Sequence, residues 1–145
     1  MATYYVDDAV GDNGNAGTSE GAGNAWLTID YAMGQVAAGD KVWVKGSGTY
    51  SEDVNIQTAA AFNNFITFEG YSSTTGDNGQ ATVTGDSART NCMHDQSLSG
   101  STYYTFKNMR FTNATGDGVK IDSDFMNWIN CRFDNNGGIG ANNDN

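Results

Sequence analysis

Two stretches near the end of the chain superimpose without a gap at an offset of 22 residues: YTFKNMRFTNATGDG from Tyr104 and MNWINCRFDNNGGIG from Met126. Asn108 meets Asn130, Arg110 meets Arg132, Phe111 meets Phe133, Asn113 meets Asn135, Gly116 meets Gly138 and Gly118 meets Gly140. Three further pairs keep their bulk or apolar character: Tyr104 with Met126, Phe106 with Trp128, and Met109 with Cys131. A unit of this length, made of short strands and Asn/Gly turns, cannot bury its apolar face alone. Stacking neighbouring units can, so the period reads as one rung of a solenoid.

Alternation assigns the faces, because successive side chains on a strand point opposite ways. Tyr104, Phe106, Met109 and Phe111 are expected inside, Thr105 and Arg110 outside, with Lys107 and Asn108 at a bend. An earlier rung, ITFEGY, fits at an offset of 38 and sets Ile66 on Tyr104, Phe68 on Phe106 and Tyr71 on Met109. The extra 16 residues then fall between Ser72 and Ser101, where STTGDNGQ and SLSGS read as projecting loops. Further strands are expected at Lys41 to Lys45, Val54 to Gln57, Ala81 to Thr84 and Asn91 to His94. Stacked about 4.8 Å apart, Asn108 over Asn130 and Asn113 over Asn135 would form amide ladders. Asn also tolerates the left-handed backbone that a sharp corner demands.

Thr28 precedes Ile29, Ala32, Met33 and Val36, a spacing that lines one face of a helix, with Thr28 as N-cap and Gly39 as the stop. Such a helix is placed to close the first rung, since bare core and strand edges invite aggregation. Nineteen glycines and no proline suit many short strands joined by tight turns. The expected architecture is therefore all-β: a right-handed, single-stranded parallel β-helix with an N-terminal amphipathic capping helix. One domain spans 1–145. Residues 1–40 supply an N-terminal strand, an acidic loop and the cap, and 41–145 supply three to four coils, broken off before the stack is finished.

The segments YYVDDAVGDNGNAGTSEG, WLTIDYAMGQVAAGDKVWVKGSGTYSEDVNI and ITFEGY, with the 22-residue rungs, resemble the pectate-lyase-like superfamily of right-handed β-helix proteins. That superfamily includes secreted polysaccharide lyases and phage tail-associated proteins. The resemblance covers nearly the whole chain and implies a protein acting on or binding polysaccharide. In lyases of the family an Arg or Lys takes a sugar proton while acidic residues hold Ca²⁺.

The candidates for such chemistry are Arg110 and Arg132, outward on adjacent rungs and close to Lys107. Two guanidinium charges about 4.8 Å apart repel by roughly 0.9 kcal/mol even in water. An anionic ligand would relieve that, and so would Asp134 on the same face. No column of aspartates accompanies the pair. Trp43 lies between Val42 and Val44 and is expected outside, either stacking on a sugar or packing under the N-terminal segment. The loop with Asp7, Asp8, Asp12, Asn13 and Asn15 offers hard oxygen ligands for Ca²⁺ but lacks the EF-hand spacing; a metal-free polar loop is the alternative. Asp117, Asp122 and Asp124 read as solvated turn residues. His94 and its neighbour Asp95 face opposite sides of a strand and cannot form a dyad without a bend.

A formal charge of −10 disfavours nucleic acid and anionic membranes as partners. No stretch reaches the ~18 apolar residues of a membrane span, and no signal peptide opens the chain. Cys92 and Cys131 read as buried hydrophobes rather than a disulfide framework. Three functions remain: a carbohydrate-recognition module of a secreted or virion-associated protein that binds surface polysaccharide, the N-terminal part of a polysaccharide lyase or hydrolase whose catalytic coils lie beyond the chain, or a structural spacer. No cofactor is required, with Ca²⁺ the metal to test. The last rung exposes Trp128, Cys131 and Phe133, so two copies are expected to meet through that end as a homodimer. Light scattering across a concentration series should then give a mass above 15.4 kDa, and a constant monomer mass would contradict the expectation.

Overall fold

The structure is a computed structural model that describes residues 1–95, 102–122 and 125–143, with the backbone alone at 142 and 143. It is built mostly of strands in parallel sheets, with one short helix. After β1 (Thr3–Val6) and α1 (Ile29–Gln35) the strands come in threes: β2 (Lys41–Lys45), β3 (Thr49–Ser51) and β4 (Val54–Ile56); β5 (Ile66–Tyr71), β6 (Ala81–Thr84) and β7 (Met93–Asp95). They continue with β8 (Tyr103–Lys107), β9 (Met109–Thr112) and β10 (Val119–Ile121), then β11 (Phe125–Ile129), β12 (Arg132–Asp134) and β13 (Ala141–Asn143). The first members pair as β1-β2-β5-β8-β11, the second as β3-β6-β9-β12 and the third as β4-β7-β10-β13. The chain thus visits the three sheets in the same order four times.

The 22-residue offset is the register itself: Tyr104 pairs with Met126, Phe106 with Trp128, Arg110 with Arg132 and Phe111 with Phe133. The 38-residue offset also holds on β5, where Ile66 pairs with Tyr104 and Phe68 with Phe106. Tyr71 is a correction. It pairs with Lys45, and the residue beside Met109 is Ala81, only 28 positions earlier. Ten of the sixteen extra residues therefore enter between Glu69 and Ala81, because β5 runs past the corner that Asn108 makes and the chain loops out before rejoining. The second loop expected in that region, SLSGS, lies at 97–101, outside the described residues, as does Asp124.

Apolar side chains from the strands fill the space between the sheets: Val42, Val44, Tyr50, Ile66, Phe68, Val83, Tyr104, Phe106, Met109 and Phe111 are all buried. Rings stack from one circuit to the next, Phe68 on Phe106 at 5.7 Å, Phe106 on Trp128 at 4.9 Å and Phe111 on Phe133 at 5.5 Å. Offset stacks of this kind add about 0.5–1.5 kcal/mol each beyond area burial. In the fourth circuit Met126, Trp128, Cys131 and Phe133 pack on this core but remain half-buried. Cys92 is fully buried and Cys131 half-buried, and both are free thiols.

The corners use left-handed backbone. Asn108, Asn113, Asn130 and Asn135 have φ of 56°, 59°, 52° and 55°. The Asn130 amide donates to Asn108 Oδ1 at 2.7 Å, so one ladder forms as expected. At the next corner the bonds along the stack come from Asn136 instead, which accepts from Ala114 N and donates to Phe111 O.

Helix α1 packs on β4 and buries Ile29, Ala32 and Met33. Thr28 caps it, accepting from Tyr31 N at 3.2 Å. The helix ends at Gln35, earlier than the Gly39 stop expected from sequence, because Val36 turns to extended backbone and Asp40 ties the next turn by accepting from Ala37 N. Gly39, at φ 88°, makes that turn. Seven residues are too few to hold a helix by propensity. Glu52 supplies what is missing: its two carboxylate oxygens accept from Ile29 N and Asp30 N at 2.9 and 2.8 Å, while Asp30 accepts from Asn55 N on β4. Burial pushes the Glu52 carboxyl above its ordinary pKa, against the pull of those amide bonds. Met33→Asp would bury a charge at a site that is 0% exposed and should cost several kcal/mol in a urea titration; an unchanged midpoint would mean that α1 does not cover the core.

Candidate functional site

Pairing in register turns each outward position into a column across the strands. On the second sheet one column runs Thr49, Thr82, Arg110, Arg132. Alternation brings the two arginines together there, as expected. Asp134 lies between them: Arg110 makes a two-pronged contact, Nε to Oδ1 and Nη2 to Oδ2, both 2.9 Å, and Arg132 Nη2 reaches Oδ2 at 2.7 Å. The Arg110 hydrogen bonds hold the Asp134 carboxyl below the usual carboxylate range. The repulsion is thereby screened from within the chain.

On the five-stranded sheet a column runs Tyr5, Trp43, Glu69, Lys107, Ile129. Glu69 is nearly buried and receives Lys41 and Lys107, each at 2.8 Å. Burial works to raise its pKa, but the Lys107 and Lys41 hydrogen bonds outweigh that and the net shift is downward. Lys107 is therefore committed to an ion pair. Trp43 is half-buried beside Tyr5, with the Lys41 ammonium 3.5 Å from its ring centroid and Tyr71 edge-on at 6.0 Å. It packs into the neighbourhood of the N-terminal strand.

The acidic loop spends its oxygens on the scaffold. Asn13 Oδ1 accepts from Leu27 N and Thr28 N, the Asn15 amide donates to Ala25 O, and Asp12 Oδ1 accepts from Gly14 N. Asp7 accepts from Ala9 N and Ser47 Oγ, with Lys45 Nζ 3.2 Å away, and Ser47 also donates to Asp8. A calcium ion at Asp7 would have to displace the Lys45 ammonium. Among the described residues no three His, Cys, Asp or Glu side chains converge to hold a metal. His94 pairs through Nδ1 with Asp53 at 2.8 Å, on the preceding circuit, while its neighbour Asp95 accepts from Asp122 N.

Sequence reasoning missed the most exposed apolar cluster. Phe125 and Tyr103 are partners across β11 and β8, and their rings stack at 4.5 Å with only 3° between planes. Phe65, one residue before the strand partner of Tyr104, meets Tyr103 edge-on at 5.4 Å, and Phe62 does so at 6.2 Å. Phe62 is 72% exposed and Phe125 47%. The signal was present: the offsets of 22 and 38 carry Tyr103 onto Phe125 and Phe65 onto Tyr103, one position before the inward residues from which the alignment began. Beside this aromatic column runs a polar one, Thr67, Thr105, Asn127, in which the Asn127 amide donates to Thr105 Oγ1 at 3.3 Å.

No known family model matches the chain, and no curated protein matches it.

The Glu69 cluster gives a pH prediction. Its depressed pKa means that the ion pairs stabilise the fold above the unfolded carboxyl pKa, near 4.3, and lose that contribution as pH falls through the lower folded value. Glu69→Gln should cost about 1–2 kcal/mol at pH 7, discounted for the half-exposed lysines. The gap from the parent should narrow below about pH 4. A gap that stays constant from pH 7 to about 3 would contradict the assignment.

Proposed function

We propose that the four circuits form a single right-handed parallel β-helix of the pectate-lyase-like kind, and that it is a carbohydrate-recognition module of an extracellular or virion-associated protein. The architecture is supported by exclusively parallel pairing among the named strands and by the fixed cyclic order of the sheets. Right-handed crossover is the rule for parallel connections.

One observation carries the functional reading: the Phe62, Phe65, Tyr103, Phe125 cluster on the outside of the five-stranded sheet. Clustered aromatic rings left in water mark a contact site, because covering them releases water at roughly 25 cal/mol per Å². The ring faces accept the C–H side of a pyranose, and the neighbouring Thr67, Thr105 and Asn127 offer neutral donors and acceptors for its hydroxyls.

Affinity electrophoresis through gels containing different bacterial and plant polysaccharides tests the reading. The parent should be retarded by at least one polymer, and Phe62→Ala combined with Phe125→Ala should abolish the retardation with unchanged circular dichroism. Equal retardation of parent and variant would mean that the cluster is not the binding surface.

A further inference from the structure

We infer that the aromatic column takes a neutral glycan chain rather than a uronate or other anionic polymer. This rests on the carbohydrate reading and narrows it to a substrate class. Three stacked segments build the site: 58–68 brings Phe62 and Phe65, 102–106 brings Tyr103 and Thr105, and 125–131 brings Phe125 and Asn127. None of them contains Asp, Glu, Lys, Arg or His, although 24 of the chain's 145 residues are Lys, Arg, Asp or Glu. Among the described residues the gap in charge coincides with the exposed rings; Asp124, which precedes Phe125, lies outside them.

The lysines on the outer face of the same sheet do not compensate. Lys41 and Lys107 are held by Glu69 at 2.8 Å, and Lys45 by Asp7 at 3.2 Å. Lys107 also lies four residues along β8 from Tyr103, roughly 13 Å at strand rise. The described charge that precedes β11 in sequence is Asp122, which is exposed and would repel a carboxylate, while Arg132 beyond its other end is paired with Asp134. At longer range the formal charge of −10 opposes any anionic polymer. Uncharged rings beside Thr67, Thr105 and Asn127 suit a ligand that brings C–H faces and hydroxyls but no charge.

The geometry also says which rings do the stacking. Tyr103 and Phe125 lie face to face, so each ring covers one face of the other. Phe62 stands at 71° to Tyr103 and is the most exposed ring of the cluster. Phe62 is therefore the chief sugar platform, and Phe65, Tyr103 and Phe125 support it.

Isothermal titration of the full chain with galactomannan, a soluble β-glucan and polygalacturonate, at low and high salt, tests the inference. A neutral polymer should bind with an affinity that salt leaves unchanged, and Phe62→Ala or Phe125→Ala should each weaken it up to about tenfold. Polygalacturonate binding that is tighter and falls with salt, or a loss of binding in Arg132→Ala, would overturn the neutral assignment while leaving a carbohydrate module standing. Binding of none of the three polymers, together with an unretarded parent in the gels, would overturn both.

Discussion

The register of the last two circuits turns on one contact at a corner: a left-handed asparagine, Asn130, bonded to the equivalent Asn108 of the circuit before. Asn108 and Asn130 both sit at positive φ, and the amide of the second donates to the first at 2.7 Å. The left-handed backbone turns the chain sharply enough to start a new sheet, and the amide bond fixes which residue of one circuit lies over which of the next. A slip of one residue would put Phe106 and Phe111 outside and Thr105 and Arg110 inside. Register and core therefore stand or fall together.

The same register that stacks Phe68, Phe106 and Trp128 inside stacks Phe65, Tyr103 and Phe125 outside. A residue type that recurs at one position becomes a column, whichever face it points to. On the outer faces the columns differ in character. Charges are matched within the chain where Glu69 takes two lysines and Asp134 takes two arginines, while the aromatic column stays free of charge and partly open to water. The proposed glycan surface is thus built by the stacking that builds the fold.

Much of this was legible because alternation and a fixed offset are local signals. The inward residues from Tyr104 to Phe111, the Asn108 corner, the Thr28 cap and the apolar stripe of α1 follow from spacing alone. What escaped depends on where the chain departs from the period. The insertion after Glu69 misplaced Tyr71, because β5 continues beyond the corner before looping out. Strands β3, β10 and β13, three residues each, also escaped. The His94–Asp53 pair joins residues 41 apart across an irregular circuit, which no local pattern signals. The arginine pair was visible, but its two-pronged clasp by Asp134 depends on side-chain geometry. The aromatic column is hidden for a simpler reason: its rings sit one position away from the inward residues that define the repeat.

The most direct measurement is a map of backbone and aromatic resonance shifts by NMR as a soluble neutral β-glucan is added to the isotope-labelled chain. Shifts should be confined to Phe62, Phe65, Thr67, Tyr103, Thr105, Phe125 and Asn127, with Arg110, Arg132 and the acidic N-terminal loop undisturbed. Shifts centred on the arginine column, with the aromatic cluster silent, would contradict the proposed glycan surface.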